Sequence, residues 1–101
     1  MKRLRLDPVF ASTSYRCVYC DVDLLADVDT FLVKVREHFT PRSAGGPDAA
    51  VNRLPSCGPC DRLKGGRVFG SVEEAREFLV QARAGWRLRV NRIRLELQPA
   101  G

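Results

Sequence analysis

The chain has 101 residues and a net charge of +5, with 17 lysines and arginines against 12 acidic residues. That length fits one domain with a modest core, so we expect a single domain over residues 1–101. No apolar run is long enough to cross a bilayer, and the basic start does not lead into the apolar stretch of a signal peptide. We therefore expect a cytoplasmic protein without a membrane partner. The positive charge is compatible with nucleic acid, although many unrelated small domains are basic too.

The N-terminal half predicts short strands that lead to a loop. Leucines and arginines alternate within residues 2–6, which indicates a strand that the following Asp-Pro pair ends. Alternation returns over residues 31–36 and predicts a second strand, which delivers His38 at its end. Residues 39–50 are rich in Pro, Gly and Ser, so we expect a long exposed loop there.

The C-terminal half predicts two helices and two strands. Residues 52–54 are expected to form a brief returning strand, and a short helix should run from about Cys57 to the glycines that follow Lys64. Ser71 begins a capping-box pattern, after which apolar residues recur at helical spacing as far as Gly85. Residues 88–97 alternate apolar residues with arginines, so we expect a terminal strand with a bulge or break near its middle.

The cysteines form two Cys-x-x-Cys pairs, Cys17 with Cys20 and Cys57 with Cys60. Four thiolates complete a closed tetrahedral zinc site, and two-residue spacers let each pair bind the metal from one tight turn. In a reducing cytosol, paired cysteines are more often metal ligands than disulfides. The alternatives are a redox dithiol or simply buried cysteines. Two matched pairs favour a structural Zn²⁺ over both.

His38 is the only histidine, and a four-thiolate zinc site does not need it. Glu37 precedes it, and Asp61 directly follows the second cysteine pair. Phosphodiester hydrolysis requires a base that activates water and a cation that holds the leaving oxygen. Histidine suits the first task, and carboxylates that bind Mg²⁺ or Mn²⁺ suit the second. Without such neighbours, a lone histidine is more often an ordinary surface or core residue.

One run of residues joins this histidine to the second cysteine pair. In chain order its characteristic members are His38, Pro41, Arg42, Ser43, Gly45, Gly46, Asn52, Cys57, Cys60, Asp61, Lys64 and Gly65. This order resembles the HNH endonucleases, in the subgroup with four zinc-binding cysteines. The resemblance covers about residues 15–66, half of the chain. It implies the ββα-metal fold, in which two strands and a helix surround one catalytic metal.

The resemblance also implies a role for each motif residue. His38 would be the general base, and Asn52 would hold the loop and orient His38 through backbone hydrogen bonds. Glu37 and Asp61 would bind the catalytic Mg²⁺ or Mn²⁺; the family usually carries Asp at the first position and His or Asn at the second. The expected fold class is α+β: a zinc-stapled ββα-metal unit over residues 15–66, with an additional C-terminal helix and terminal strands over 71–98.

Basic side chains near the motif are candidates for phosphate contacts, with an ordinary solvated face as the alternative. They are Arg42, Arg53, Arg62, Lys64 and Arg67. The sequence thus predicts a metal-dependent HNH-type endonuclease that cleaves double-stranded DNA, with a protein partner as one source of specificity. Two alternatives stay open. The first is a degenerate HNH-like module that binds nucleic acid or protein without cutting, and the second is a zinc ribbon with a purely structural or partner-binding role.

Overall fold

The computed structural model describes residues 4–99, which combine α-helices with one small antiparallel sheet, so the α+β class is confirmed. The helices are α1 (Pro8–Ala11), α2 (Val28–Leu32), α3 (Gly58–Lys64) and α4 (Val72–Glu96). The strands are β1 (Val35–His38) and β2 (Arg53–Ser56), and two 3-10 turns cover Arg42–Ala44 and Ala50–Asn52. Residues of both predicted metal sites lie in, or directly beside, the β1–β2 hairpin and α3.

The hairpin sets the direction of each motif side chain. β1 pairs with β2 in a register that places Glu37 opposite Leu54 and His38 opposite Arg53. Successive side chains of a strand point to opposite faces. Glu37 therefore faces inward and is 5% exposed, whereas His38 faces the half-exposed outer side. Adjacent positions in the sequence thus enter different environments.

The core of the described residues is small and surrounds the cysteines. Its buried apolar members are Phe10, Cys17, Tyr19, Leu24, Cys57, Cys60, Ala75 and Leu79. Three of these eight are cysteines, so little hydrocarbon is buried away from the thiol cluster. A core of this size rarely stabilises a small domain by itself. We therefore expect a metal at the cysteines to supply much of the folding free energy.

The C-terminal part of the chain forms one long helix, α4, which differs from the structure predicted there. The Ser71 cap is present, because Ser71 Oγ accepts from Glu74 N at 3.2 Å, while the Glu74 carboxylate accepts from Gly70 N, one residue before the cap, at 2.9 Å. The helix does not stop at Gly85 but continues to Glu96, so the predicted terminal strand over residues 88–97 and its bulge are wrong. A strand would need a neighbouring strand for its backbone groups, whereas leucine and arginine are good helix formers whose backbone bonds close locally.

Two further corrections concern the N-terminal half. The strand predicted from residue 31 begins only at Val35, because α2 occupies residues 28–32. Asp27 Oδ1 accepts from Thr30 N at 2.7 Å and caps that helix. The strand predicted over residues 2–6 is not found: residues 4–6 have no regular structure, and residues 2 and 3 lie outside the described range. Within residues 4–99, no helix is both long enough and apolar enough to cross a membrane.

Candidate functional site

The four cysteines meet at one point. The Sγ atoms of Cys17, Cys20, Cys57 and Cys60 all lie within 4.8 Å of one another, and no disulfide joins them. Cys57 also caps α3, since its Sγ accepts from Cys60 N at 3.3 Å. Four thiolates in one place match the ligand number of a tetrahedral site. The cluster could therefore hold a structural metal such as zinc, as the sequence predicted.

A tight turn presents the first cysteine pair. Cys17 N donates to Val22 O at 3.0 Å, and Asp21 N donates to Cys17 O at 2.9 Å. Asp21 adopts a φ of +64°, a left-handed conformation that Asp tolerates better than most residues. The turn is joined to β2 by a hydrogen bond from Val18 N to Pro55 O at 2.9 Å. The backbone thus brings the first pair to the second.

Arg83 of α4 completes the cysteine cluster and was not among the residues predicted from the sequence. Its Nη2 lies 3.2 Å from the Sγ of Cys60, 3.4 Å from that of Cys57 and 3.7 Å from that of Cys20. The hydrogen bond to Cys60 raises the pKa of Arg83, so the guanidinium stays charged beside the sulfurs. A metal held by four thiolates carries excess negative charge, which this cation offsets.

A signal for Arg83 was present in the sequence. Ala75, Leu79 and Arg83 follow one another at intervals of four residues and share one face of α4. The first two are buried in the core. A charged residue that continues a buried apolar stripe requires a specific partner.

Glu37 lies in a buried polar cluster behind the hairpin. Its Oε1 accepts a hydrogen bond from the Tyr19 hydroxyl and lies 3.5 Å from Lys64 Nζ. Burial raises the pKa of Glu37, the contacts with Tyr19 and Lys64 oppose that rise, and the negative charge of Asp61 adds to it. Burial, together with the hydrogen bond to Glu37, also raises the pKa of Tyr19. The cluster thus joins the first cysteine turn, β1 and α3.

Lys64 does not match its predicted role as a phosphate contact. Its side chain is 1% exposed, and Nζ donates to Phe39 O at 2.9 Å besides contacting Glu37. A buried ammonium group needs such partners because it has lost its hydration shell. Lys64 therefore bonds within the hairpin–α3 unit, and its ammonium group is not exposed to a phosphate in solution.

His38 lies at the end of β1 beside Asp48, an acidic residue that was not among the predicted site residues. His38 Nε2 lies 3.2 Å from Asp48 Oδ1, which also accepts from Arg53 Nη2 at 2.6 Å. The Arg53 and His38 contacts lower the pKa of Asp48, so this carboxylate is ionised near neutrality. An ionised Asp48 requires a proton on Nε2, which leaves Nδ1 as the basic ring nitrogen.

An open cavity of about 300 Å³ lies in front of His38. Its lining residues are Arg36, His38, Arg42, Asp48 and Arg53. Arg42 Nη2 lies 3.7 Å from Asp48 Oδ2, so this aspartate links the cations to the histidine. Two of the five predicted phosphate contacts, Arg42 and Arg53, are therefore at the histidine. Arg62 and Arg67 lie outside this cavity, and Arg67 stacks 4.6 Å from the Phe78 ring centre.

Asn52 makes the loop-holding hydrogen bonds expected of it. Its Oδ1 accepts from Thr40 N at 2.9 Å, and its Nδ2 donates to Thr40 O at 3.0 Å and to Pro47 O at 2.9 Å. Gly46 packs into the same loop so closely that a Cβ would lie 1.7 Å from Thr40 O. Asn52 thereby fixes the backbone two residues after His38 and reaches the histidine indirectly.

Asp61, the other predicted catalytic-metal ligand, is half-buried on α3, and its charge adds to the raised pKa of Glu37. Within residues 4–99, the cysteines are the only group of three or more histidine, cysteine or acidic side chains gathered closely enough to hold a metal. A catalytic cation would therefore depend on two carboxylates, with water completing its coordination.

Comparisons with protein-family models, with curated proteins and with solved structures found no match to this chain. The resemblance to the HNH endonucleases therefore stays a prediction, carried by the motif residues and by the contacts described above.

Proposed function

We propose that the chain is a metal-dependent endonuclease of the HNH type, which hydrolyses phosphodiester bonds in DNA by nicking or by cutting both strands. The observation that carries the proposal is His38 Nε2, 3.2 Å from Asp48 Oδ1, in an open cavity lined by three arginines. A histidine oriented by a carboxylate can act as a general base, and arginines bind phosphate oxygens. The cysteine cluster supports the scaffold and takes no part in the reaction.

His38 would act as the base through Nδ1. As a water oxygen attacks phosphorus, one water proton passes to Nδ1 and the bond from phosphorus to the leaving oxygen breaks. The electron pair of that bond stays on the leaving oxygen, which takes a proton from solvent water, and Nδ1 later returns its proton to solvent. Asp48 accepts the hydrogen bond from Nε2 and stabilises the positive charge that the ring acquires. Arg42 and Arg53 supply positive charge to the non-bridging phosphate oxygens. Asn52 keeps the adjoining loop backbone in place while this happens.

Glu37 and Asp61 would hold the catalytic Mg²⁺ or Mn²⁺. The contacts that residues 4–99 make with the Glu37 carboxylate use Oε1, so Oε2 is the atom left for a cation. The negative charge of Asp61 adds to the rise in the pKa of Glu37, so the two carboxylates interact electrostatically. A bound divalent cation supplies charge stabilisation at the leaving oxygen.

A second candidate function is nucleic-acid or protein binding without cleavage. The observation that favours it is the Lys64 ammonium group, which already sets a positive charge 3.5 Å from Glu37 Oε1. An ammonium group in that position competes with a divalent cation for the same carboxylate. In this alternative, Arg42 and Arg53 bind the DNA backbone and no strand is cut. The affinity for DNA should then fall steeply as the salt concentration rises.

Incubation of the zinc-loaded protein with supercoiled plasmid separates the two functions. The endonuclease should convert plasmid to nicked or linear DNA with Mg²⁺ or Mn²⁺ and not with EDTA. His38→Ala should lower the rate about 10²–10⁴-fold, because a positioned base is lost. Arg5→Ala is the control, since Arg5 is an exposed basic residue outside the histidine cavity and is not among the predicted phosphate contacts. Equal cleavage by His38→Ala and the parent would remove the histidine from the reaction.

Two variants test the proposed cation ligands. Asp61→Ala should weaken the catalytic cation, so excess Mn²⁺ should restore part of the activity. Glu37→Asp shortens the side chain to the type that HNH endonucleases usually carry. If Glu37 is fitted to this site, the shortening lowers activity, because ångström-scale displacement costs about a hundredfold in rate. A rise in activity would instead mark Glu37 as a replacement that has weakened catalysis.

A further inference from the structure

The C-terminal half of α4 extends beyond the core. We call residues 85–97 the arm; every one of them is exposed. Apolar residues of the arm recur at intervals of four, three and four positions, namely Trp86, Val90, Ile93 and Leu97. That spacing places them on one face, in the a and d positions of a heptad pattern. It is also the face on which Ala75 and Leu79 are buried nearer the start of α4. The face of α4 that packs on the core therefore stays uncovered along the arm.

This face of the arm forms one side of a groove. A cavity of about 980 Å³ lies between the arm and α3 and reaches Val33. The arm contributes Trp86 and Val90 to its lining, and these side chains are 52% and 48% exposed. Leu63 of α3 and Val33 add apolar surface from outside the arm. Exposed apolar side chains gathered in a groove mark an interaction surface.

The charged residues that line the groove are all arginines. They are Arg62, Arg83, Arg87 and Arg94. Arg83 is already bonded to the cysteine sulfurs. The other three are exposed, and among residues 4–99 none of them forms an ion pair with a carboxylate. The groove therefore combines apolar surface with positive charge that the described part of the chain does not balance.

Asp29 limits where a negative group can bind. It lines a neighbouring cavity of about 500 Å³, which shares Val33 and Arg83 with the groove. A carboxylate bound in that cavity would be repelled by Asp29. Arg94 lies about 16 Å further along α4 than Arg83, because each helical residue adds about 1.5 Å. An acidic group would therefore bind towards the end of the groove where Arg87 and Arg94 lie.

We propose that the groove binds an amphipathic helix of another protein, in which acidic residues flank one apolar stripe. The apolar side chains of that helix pack on Trp86 and Val90, so that both surfaces leave water together. In the heptad pattern of the arm, Arg87 and Arg94 occupy the e position beside the apolar seam, where charge selects the partner helix. The acidic side chains of the partner pair with these two arginines and with Arg62.

Other occupants fit the observations less well. Duplex DNA would pair with the arginines, but its backbone would leave Trp86 and Val90 without an apolar partner. A second arm in the groove would set arginine against arginine, since residues 85–97 carry four arginines and one glutamate. An acidic amphipathic helix matches the apolar and the charged parts of the groove at once. The inference does not depend on the endonuclease reaction.

A synthetic peptide of about three heptads tests the groove in the zinc-loaded protein. The peptide carries Leu at its a and d positions and Glu at the positions that flank them, and it lacks tryptophan. Its binding should shift the fluorescence of Trp86, the only tryptophan of the chain, to shorter wavelength as the ring loses contact with water. Titration gives the dissociation constant. The absence of a saturable shift up to millimolar peptide would overturn the proposal.

A charge exchange tests whether the arginines select the helix. A peptide with Lys in place of Glu should bind the parent about tenfold or more weakly. Arg87→Glu with Arg94→Glu should weaken binding of the Glu peptide by a similar factor, and it should bind the Lys peptide more tightly than the parent does. That gain can come only from a folded variant, so it separates a change of charge from a loss of structure. Equal binding of the two peptides by the parent, or unchanged binding of the Glu peptide by the variant, would overturn the proposal.

The control is Arg5→Glu with Arg92→Glu, which changes the net charge equally at exposed residues outside the groove. It should leave the affinity for both peptides unchanged at physiological salt, where distant charges are screened.

Two further measurements distinguish the occupants. Duplex DNA should not displace the Glu peptide, and sedimentation velocity should show the protein alone as a monomer of 11.3 kDa. Displacement by DNA would mark the groove as a nucleic-acid surface, and a dimer that Arg87→Glu with Arg94→Glu dissociates would mark it as a contact between copies of the chain. Either result would overturn the proposal. Plasmid cleavage and its dependence on His38 are measured without the peptide, so the endonuclease proposal stands or fails separately.

Discussion

The two predicted metal sites share the hairpin and α3, yet they differ in how complete they are. The cysteine site has four like ligands within 4.8 Å of one another and a guanidinium group beside them. The proposed catalytic site divides its motif residues between two faces of β1: Glu37 faces inward to Tyr19 and Lys64, and His38 faces outward to Asp48. Assembly of the first site requires only that two turns meet.

The difference follows from how each site is encoded. A Cys-x-x-Cys turn brings both of its thiols to the same point, so ligand direction is fixed locally. Neighbouring residues of a strand point to opposite faces, so the surroundings of Glu37 and His38 depend on what packs on each side of the hairpin. The structural site should therefore control stability, and the catalytic site should be more sensitive to changes in its partners.

The largest expected effect comes from removing the metal at the cysteines. Cys57→Ser, or a strong chelator, should abolish cooperative folding, because structural zinc contributes about 10–16 kcal/mol in small zinc domains. That exceeds the stability of most small domains. Elemental analysis should find one zinc per chain in the parent, and circular dichroism should show an unfolded variant. A Cys57→Ser variant that melts cooperatively near the parent temperature would contradict this.

Breaking the buried ion pair should have the next largest effect. Lys64→Met leaves Glu37 buried without its cation, which typically costs about 3–5 kcal/mol. Burial already raises the pKa of Glu37 above its ordinary value of 4.5, and losing Lys64 raises that pKa further. The folded state then binds the proton more tightly than the unfolded state, so stability should fall as pH rises above that ordinary value. Urea denaturation at several pH values measures this.

The double variant Glu37→Gln with Lys64→Met provides the control for that experiment. It removes both charges, so it should recover much of the lost stability and lose the added dependence on pH. If Lys64→Met alone is as stable as the parent across this pH range, then Lys64 and Glu37 do not form a buried pair in solution.

Arg83 tests whether the long helix takes part in the metal site. Arg83→Met removes the hydrogen bonds to three sulfurs and should weaken zinc affinity about 10–100-fold, the usual effect of losing an outer partner of metal ligands. Competition with a chromogenic chelator measures the affinity. Arg83→Lys keeps the charge, so its zinc affinity should lie between that of the parent and that of Arg83→Met. Arg92→Met, on the same helix, is the control, because Arg92 is exposed and does not line the cavity that reaches the cysteines.

Replacing Asp48 should have the smallest effect of the four changes predicted here. Asp48→Asn keeps the size of the side chain but removes the negative charge that orients His38, so plasmid cleavage should slow severalfold while folding and zinc content stay unchanged. Asp48 is exposed, and exposed charge pairs contribute little to stability because water screens them. A variant that cleaves at the parent rate would show that His38 does not need this partner.

Much of the fold was predictable where the determinants are local. The Ser71 cap, the return of the chain after Asn52 and the α3 helix after Cys57 all follow from residues within a few positions of each other. The errors occur where alternation was the only evidence. Residues 88–97 alternate like a strand, but no strand in the described residues lies beside them, and their backbone closes its hydrogen bonds within a helix.

The sequence by itself determined the four thiol ligands, the loop held by Asn52 and the placement of one histidine at a strand end. Each depends on short spacing or on a residue type that few others can replace. The tertiary structure alone decided that Lys64 is buried against Glu37, that Asp48 orients His38 and that Arg83 reaches the sulfurs. His38 and Asp48 are 10 positions apart in the sequence, Glu37 and Lys64 are 27 apart, and Arg83 is 63 positions from Cys20. Tertiary packing decides which residues meet across such separations, and the spacing of residues along the chain does not reveal those contacts.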